Sequence, residues 1–149
     1  MFYVSELIDL VIMTLAIGYI YSGFIKRKPH EGYDPIEYYK KPSQWEEVKL
    51  GIMIAAPAVV LHELSHKFVA MGFGAVAILG APLQWYAFAI LLRLINSPIL
   101  FLVGGYVSIR TPLPPLESAA VSIAGPLMNF IIYGIIYAML KNRKIKKKH

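Results

Sequence analysis

Three side chains near the middle of the sequence have the types and the spacing of a zinc-dependent hydrolase. His62, Glu63 and His66 form an H-E-x-x-H motif. On an α-helix, residues four apart lie on the same face, so both imidazoles can bind one metal ion with the glutamate beside it. Zinc lowers the pKa of a bound water to about 7, and a neighbouring carboxylate can pass the water's proton to a leaving amine. The motif therefore predicts peptide hydrolysis, with His62 and His66 as zinc ligands and Glu63 as the catalytic base.

The motif lies in a very apolar chain. Of the 149 residues, 57% are hydrophobic and 16% are charged, whereas about 25% of an average soluble domain is charged. Ionisable side chains inside membrane segments are rare and usually functional, which favours the metal-binding interpretation of the two histidines. Cysteine is absent, so zinc would have to use histidine and carboxylate ligands. We expect an integral, multi-pass protein of the cell membrane, in which the long side chain of Lys67 extends toward water.

Four apolar segments are expected to position the motif. The first, 5–24, has the roughly 20 residues that cross a bilayer as one helix. A second helix over 44–72 carries the motif, with Pro57 predicted to bend it, and a last helix covers 117–140. The prediction is an all-α polytopic membrane protein with three to four membrane segments, forming a single membrane-embedded domain over 1–149.

The region between these helices, 75–112, is predicted to be re-entrant and partly β. It is apolar but is interrupted by glycine, proline and polar residues, and its run Tyr106–Ile109 has the composition of a short strand. Non-helical backbone at membrane depth is tolerated only beside protein or a water-filled cavity. We therefore expect this element, possessing a small β-hairpin, to border the active site.

The charge distribution predicts a lipid partner and constrains the topology. The net charge is +6, and six basic residues lie between Lys141 and Lys148, directly after an apolar block. Such a cluster is typical of a helix end anchored to anionic lipid, and we expect no nucleic-acid partner. If 75–112 is re-entrant, this cluster and the basic run Lys26–Lys28 lie on one side, which the positive-inside rule assigns to the cytoplasm.

Two stretches of the sequence, HELSHKFVA at 62–70 and SIAGPLMNF at 122–130, resemble the site-2 proteases. These are intramembrane zinc metalloproteases that cut transmembrane segments of membrane proteins. The resemblance implies that His62 and His66 bind zinc, that Glu63 is the general base, and that Asn129 lies near the active site and helps to hold substrate. It also implies a re-entrant segment that pairs with an unfolded substrate strand, for which Tyr106–Ile109 is the candidate edge.

The sequence departs from the family pattern at the third zinc ligand. The family uses an aspartate in an L-D-G motif on a later membrane helix, and no L-D-G occurs before His149. A companion chain could carry that helix, the protein could be an inactive relative that binds transmembrane segments without cutting them, or another carboxylate could serve. Glu117 and then Asp9 are the local candidates. The family's usual orientation would also place both basic flanks outside, against the positive-inside rule.

Overall fold

The computed structural model describes residues 3–22, 24, 44–97, 99, 101 and 103–146, with side chains up to residue 142. In this part of the chain the elements follow in the order α1 (Val4–Ser22), α2 (Gln44–Gly72), β1 (Ala77–Gly80), α3 (Leu83–Leu94), β2 (Tyr106–Ile109) and α4 (Pro115–Lys146). The basic run at 26–28 and the side chains of the C-terminal cluster beyond residue 142 lie outside the described residues.

Helices α1 and α2 pack against each other in opposite directions. Glu6 near the start of α1 contacts Lys67 near the end of α2, whereas Gly18 lies against Gly51. A Cβ atom on Gly51 would collide with the backbone carbonyl of Gly18, so glycine at this position permits the close approach of the two helices. Helix α2 continues through Pro57, which shows that the proline does not end it.

A glycine in the left-handed conformation follows the end of helix α2 by two residues. Gly74 has φ +77°, and the N–H of Ala75 donates to the carbonyl of Ala70 over 3.0 Å. This is a common way of closing the last turn of a helix, because only glycine adopts such a φ without strain. The chain is thereby turned back directly after the H-E-x-x-H motif, into β1.

The two strands pair as an antiparallel two-stranded sheet, with the strand predicted at 106–109 as β2. Because their connection contains α3, the pair, called the hairpin below, is not a hairpin with a short turn. Ala77 pairs with Ile109, and Gly80 pairs with Tyr106. The N–H of Arg110 donates to the carbonyl of Val76 over 2.8 Å. Because hydrogen-bonding direction alternates along a strand, the backbone groups of 78, 80, 106 and 108 point between the strands, and those of 77, 79, 107 and 109 point to the two outer edges.

The segment between α2 and α4 enters the bundle and returns. Helix α3 has 12 residues, about 18 Å at 1.5 Å per residue, which is shorter than a bilayer core. Arg93 near its end is 3.8 Å from Glu47 near the start of α2, and the following residues lead back to β2 beside β1. Its buried Tyr86 and Ala89 join a core with Met13 and Ile17 of α1.

Helix α4 packs antiparallel to α2. His66 contacts Val121, whereas the earlier His62 contacts Asn129. Helices α1 and α4 therefore run in the same direction, so the C-terminal ends of both lie at one end of the bundle and the β-hairpin lies at the other. The region 75–112 begins and ends on the hairpin side, which is the arrangement expected of a re-entrant segment.

Three helices in the described part of the chain are long and apolar enough to cross a membrane. They cover Val4–Ser22, Gln44–Gly72 and Pro115–Asn142, and α3 is a shorter apolar helix. The described part of the chain is thus mostly helical with one small two-stranded sheet, as the predicted helices and strand required. Helix α1 ends two residues before the expected boundary, and α4 extends beyond its expected range on both sides.

Candidate metal centre

The side chains of His62 and His66 converge on one point. Their Nε2 atoms are 3.1 Å apart, and both rings are partly buried. Two nitrogen ligands of a tetrahedral zinc ion, each about 2.0–2.1 Å from it, are about 3.3 Å apart. The spacing of four residues on α2 therefore produces the separation that shared binding of a metal ion requires.

The distal nitrogen of His66 is held by the backbone of α4. Its Nδ1 lies 2.6 Å from the carbonyl oxygen of Val121. A carbonyl can only accept, so Nδ1 carries the proton and the lone pair of this ring is on Nε2. A carbonyl that orients a histidine in this way is a usual support for a zinc ligand.

Asn129 supports His62 in the equivalent position. Its side-chain nitrogen Nδ2 is 3.0 Å from Nδ1 of His62, which in this arrangement accepts the hydrogen bond. Metal binding through Nε2 of His62 requires the proton of this ring to be on Nδ1. A 180° rotation of the Asn129 amide group then places Oδ1 where it accepts the hydrogen bond from Nδ1. Asn129, which the sequence placed near substrate, is thus in contact with a predicted zinc ligand.

Gly125 leaves room beside both ring nitrogens. A Cβ atom at this position would lie 2.5 Å from Nε2 of His62 and closer still to Nε2 of His66. Any side chain here would occupy the space at the two Nε2 atoms. The lack of a side chain at Gly125, in the A-G-P sequence, therefore keeps this space open. The two histidines fit a metal ion as a pair of nitrogen donors.

The carboxylate of Glu63 is held by the glycines that precede β2. Glu63 is 7% exposed, and its Oε1 accepts a hydrogen bond of 3.1 Å from the N–H of Gly105. A Cβ atom on Gly104 would lie 3.0 Å from Oε1, and one on Gly105 would lie 2.8 Å from the sulfur of Met13. The close approach of this backbone fixes the orientation of the candidate base.

Tyr86 fixes the glycine segment in turn. The phenol of this buried α3 residue donates to the carbonyl of Gly104 over 3.0 Å. Sequence reasoning did not find Tyr86, Gly104, Gly105 or Val121 as supporting residues. The adjacent glycines were a local signal, but nothing in the sequence pairs them with Glu63, 42 positions away.

A third protein ligand is not present in the described part of the chain. No group of three or more histidine, cysteine, aspartate or glutamate side chains able to hold a metal occurs among these residues. Asp9 and Glu117 are both described, and neither joins the two histidines. The suggestion that one of them completes the site is therefore wrong, since each lies elsewhere on α1 or α4.

The expectation for Lys67 is also wrong. Its side chain is 0% exposed and donates to the carboxylate of Glu6, which is 0% exposed as well, and to the carbonyl of Ala77 over 3.0 Å. Lys67 follows His66 on α2 but points to α1 and the hairpin. The sequence contained a signal for this ion pair, namely one acid, Glu6, and one base, Lys67, in separate apolar segments. An unpaired charge at either position would be costly to bury.

The fold and the site together define a metallopeptidase type of centre, with an H-E-x-x-H helix in a bundle of long apolar helices. The family model of Peptidase family M50 matches residues 49–144, more than half of the sequence. The chain belongs to this family, which is the site-2 protease family.

One curated relative supports the same assignment. A protein of Methanocaldococcus jannaschii, whose name assigns it provisionally as a zinc metalloprotease, is 22% identical over 135 residues. The match covers 91% of this chain and 62% of the relative, so the chain spans less than two-thirds of that protein's length. No solved structure matches the chain significantly.

Proposed function

We propose that the protein is an intramembrane zinc metalloprotease that hydrolyses peptide bonds in transmembrane segments of other membrane proteins. The observation that carries the proposal is the geometry of α2. The Nε2 atoms of His62 and His66 converge at 3.1 Å, and the carboxylate of Glu63 is fixed by Gly105 at the hairpin. The three long apolar helices support a membrane location, and the basic cluster that begins at Lys141 in the last turns of α4 would bind anionic lipid.

Glu63 would act on the attacking water. When bound, zinc supplies Lewis-acid polarisation of the scissile carbonyl and of the water. The oxygen of the water attacks the carbonyl carbon while the carboxylate of Glu63 takes a proton from that water. The C–N bond then breaks, and Glu63 gives the proton to the departing amine. The hydrogen bond from Gly105 to Oε1 orients the carboxylate for both transfers.

The outer edge of β2 is the proposed binding surface for the substrate backbone. In a helical substrate the scissile carbonyl is hydrogen-bonded, so the segment must unwind before it can react. The backbone groups of Val107 and Ile109 point to this edge, and β2 is largely exposed. An added strand would satisfy the freed groups of the substrate. Gly105, two residues before Val107, contacts Glu63. A substrate strand at this edge would therefore extend next to the candidate base.

A companion chain carrying an L-D-G helix is the proposed source of the third ligand. A catalytic zinc ion usually has three protein ligands and one open position. The described residues provide two nitrogen donors and no third group. A helix from another chain would supply the carboxylate that the described residues lack.

The lack of a third ligand among the described residues also favours a second candidate function. A protein with the same scaffold could bind transmembrane segments without cutting them. The two functions differ in whether the bound transmembrane segment is cleaved in a reaction that depends on Glu63. In the protease the carboxylate is essential for cleavage, whereas a binding protein needs only the hairpin and the helices.

Cleavage by purified protein in lipid vesicles tests the proposal. The substrate is a single apolar helix with a central Gly-Pro pair, supplied with or without a second peptide carrying N-x-x-P and L-D-G elements. Mass spectrometry identifies the products. Glu63→Gln is expected to abolish cleavage without loss of zinc binding, because the amide cannot accept the proton of water but can still accept the hydrogen bond from Gly105.

Glu117→Gln is the matched control, since it removes a carboxylate that does not join the histidines. It is expected to cleave at the wild-type rate. Cleavage that survives Glu63→Gln would rule out the protease function. Substrate that copurifies uncut, both with and without the second peptide, would support the binding protein instead.

A further inference from the structure

The outer edge of β1 is closed by two side chains rather than by another strand. The N–H of Leu79 donates to Oε1 of Glu6 over 2.7 Å. The carbonyl of Ala77 accepts from Nζ of Lys67 over 3.0 Å. They are two of the four backbone groups of residues 77 and 79 that point away from β2, and the carboxylate and the ammonium group provide them with the acceptor and the donor that a neighbouring strand would provide.

The Glu6–Lys67 pair is itself fully satisfied and buried. Both side chains are 0% exposed, and the ammonium group donates to Oε1 of the carboxylate. The other oxygen, Oε2, accepts from the N–H of Tyr3 over 2.8 Å. Opposite charges that are removed from water persist only with such complete bonding. The pair therefore joins the start of α1, the end of α2 and β1 in one cluster.

The edge of β2 has the opposite character. Among the described residues, no hydrogen bond is made to the outward backbone groups of Val107 and Ile109. The N–H of Gly105, which precedes this edge, donates to Glu63. An open strand edge invites the addition of a further strand, and a covered edge prevents it. The hairpin thus has one closed edge at the Glu6–Lys67 pair and one open edge that leads to the candidate base.

We propose that the Glu6–Lys67 pair is a positioning device for substrate. By bonding the N–H of Leu79 and the carbonyl of Ala77, it covers that edge, fixes the hairpin against the helix that carries His66, and leaves β2 as the edge to which an extended substrate segment adds. The inference rests on the proposed function, because it concerns how the same site receives its substrate.

Two double variants distinguish the hydrogen bonds that Glu6 and Lys67 make to β1 from the electrostatic attraction between their charges. Glu6→Gln with Lys67→Met removes both charges at similar volume and removes the donor to Ala77. Glu6→Lys with Lys67→Glu keeps an ion pair but places a donor against the N–H of Leu79 and an acceptor against the carbonyl of Ala77. Arg93→Met with Glu47→Gln, at the half-exposed pair between α3 and α2, is the control.

Binding is measured in the Glu63→Gln background, so that cleavage does not interfere. The probe is a fluorescent peptide with one apolar helix and a central Gly-Pro pair, in detergent micelles. Both double variants are expected to weaken its binding roughly tenfold, because the edge of β2 is less well fixed. Hydrogen exchange at Leu79 is expected to accelerate roughly tenfold or more. Zinc affinity should change less than twofold, and the control should match the parent.

Unchanged peptide binding and unchanged exchange at Leu79 in the neutral variant would overturn the inference. So would peptide binding of the charge-reversed variant equal to that of the parent, since the charges alone would then be sufficient. A parallel loss of zinc affinity would show general unfolding instead of positioning. If the proposed protease function is wrong, protein with a native Glu63 does not cleave the substrate. The peptide-binding measurements still test the role of the Glu6–Lys67 pair in that case.

Discussion

His66 and Lys67 are neighbours on α2, but they belong to two polar clusters of opposite construction. His66 points to α4, and its Nε2 and that of His62 meet at 3.1 Å beside a glycine. Lys67 points to α1 and β1, where its ammonium group is bonded to Glu6 and to the carbonyl of Ala77. Successive residues of a helix differ by about 100° in direction, which lets one helix serve both clusters.

The difference shows how a binding site can be told from a structural cluster. The Glu6–Lys67 pair is completely enclosed, and its charges and the strand edge satisfy each other. At the histidines, each distal nitrogen is held by α4 while the two Nε2 atoms face one another. Two ring nitrogens directed at one point favour an added cation, whereas the enclosed pair needs nothing further.

The largest effect is expected at Gly125. Gly125→Ala places a methyl group at the two Nε2 atoms, so zinc binding should be lost, and any residual cleavage should fall at least roughly a hundredfold through displacement of α4. Zinc titration against a chelating dye and the vesicle cleavage assay measure the two effects.

Gly134→Ala is the control for that change. It lies on the same helix, and a Cβ atom there would meet nothing within 4 Å. Zinc titration of both alanine variants is the deciding measurement. Equal zinc affinity of Gly125→Ala and wild type would show that the metal does not lie between the histidines.

An intermediate effect is expected at Asn129. Asn129→Ala removes the group that holds Nδ1 of His62, and loss of such a support typically lowers metal affinity roughly 10- to 100-fold. The same zinc titration measures it, with Asn142→Ala at the exposed end of α4 as the control. If zinc affinity is retained and only substrate binding falls, Asn129 acts on substrate as the sequence predicted, and its contact with His62 is incidental.

The smallest effect is expected at Tyr86. Tyr86→Phe removes the hydrogen bond to the carbonyl of Gly104, which is worth about 1 kcal/mol and should lower kcat about fivefold by loosening the backbone that holds Glu63. Steady-state cleavage kinetics measure this change, with the exposed Tyr133→Phe as the control. A kcat equal to that of wild type would indicate that the glycine segment is fixed without the phenol.

Local patterns predicted the long helices and the strand at 106–109 with good accuracy. The sequence expected the helix over 44–72, which α2 matches, and the strand at 106–109, because periodicity, glycine positions and β-branched composition act over short distances. It also placed His62, Glu63 and His66 on one helix, where the spacing alone brings the imidazoles together. The roles assigned to these residues and to Asn129 remain predictions for the experiments above.

Contacts between distant segments could not be predicted in the same way. The bonds of Glu63 to Gly105 and of Lys67 to Glu6 join positions 42 and 61 residues apart. Lys67 was expected to extend toward water, because nothing in the sequence pairs it with an acid on another helix. Its partner lies on α1, and only the antiparallel packing of α1 on α2 brings the two charges together.

The sequence by itself thus determined an apolar chain with a two-histidine motif and a carboxylate between the two histidines. Helix periodicity is a property of short segments, so these features are present in the order of the residues. The tertiary structure decided which nitrogen of each histidine is held by α4, which backbone fixes Glu63, and which edge of the hairpin is closed. These depend on the packing of α1, α3 and α4 around α2, because a hydrogen bond between remote residues exists only when the whole fold places its donor and acceptor together.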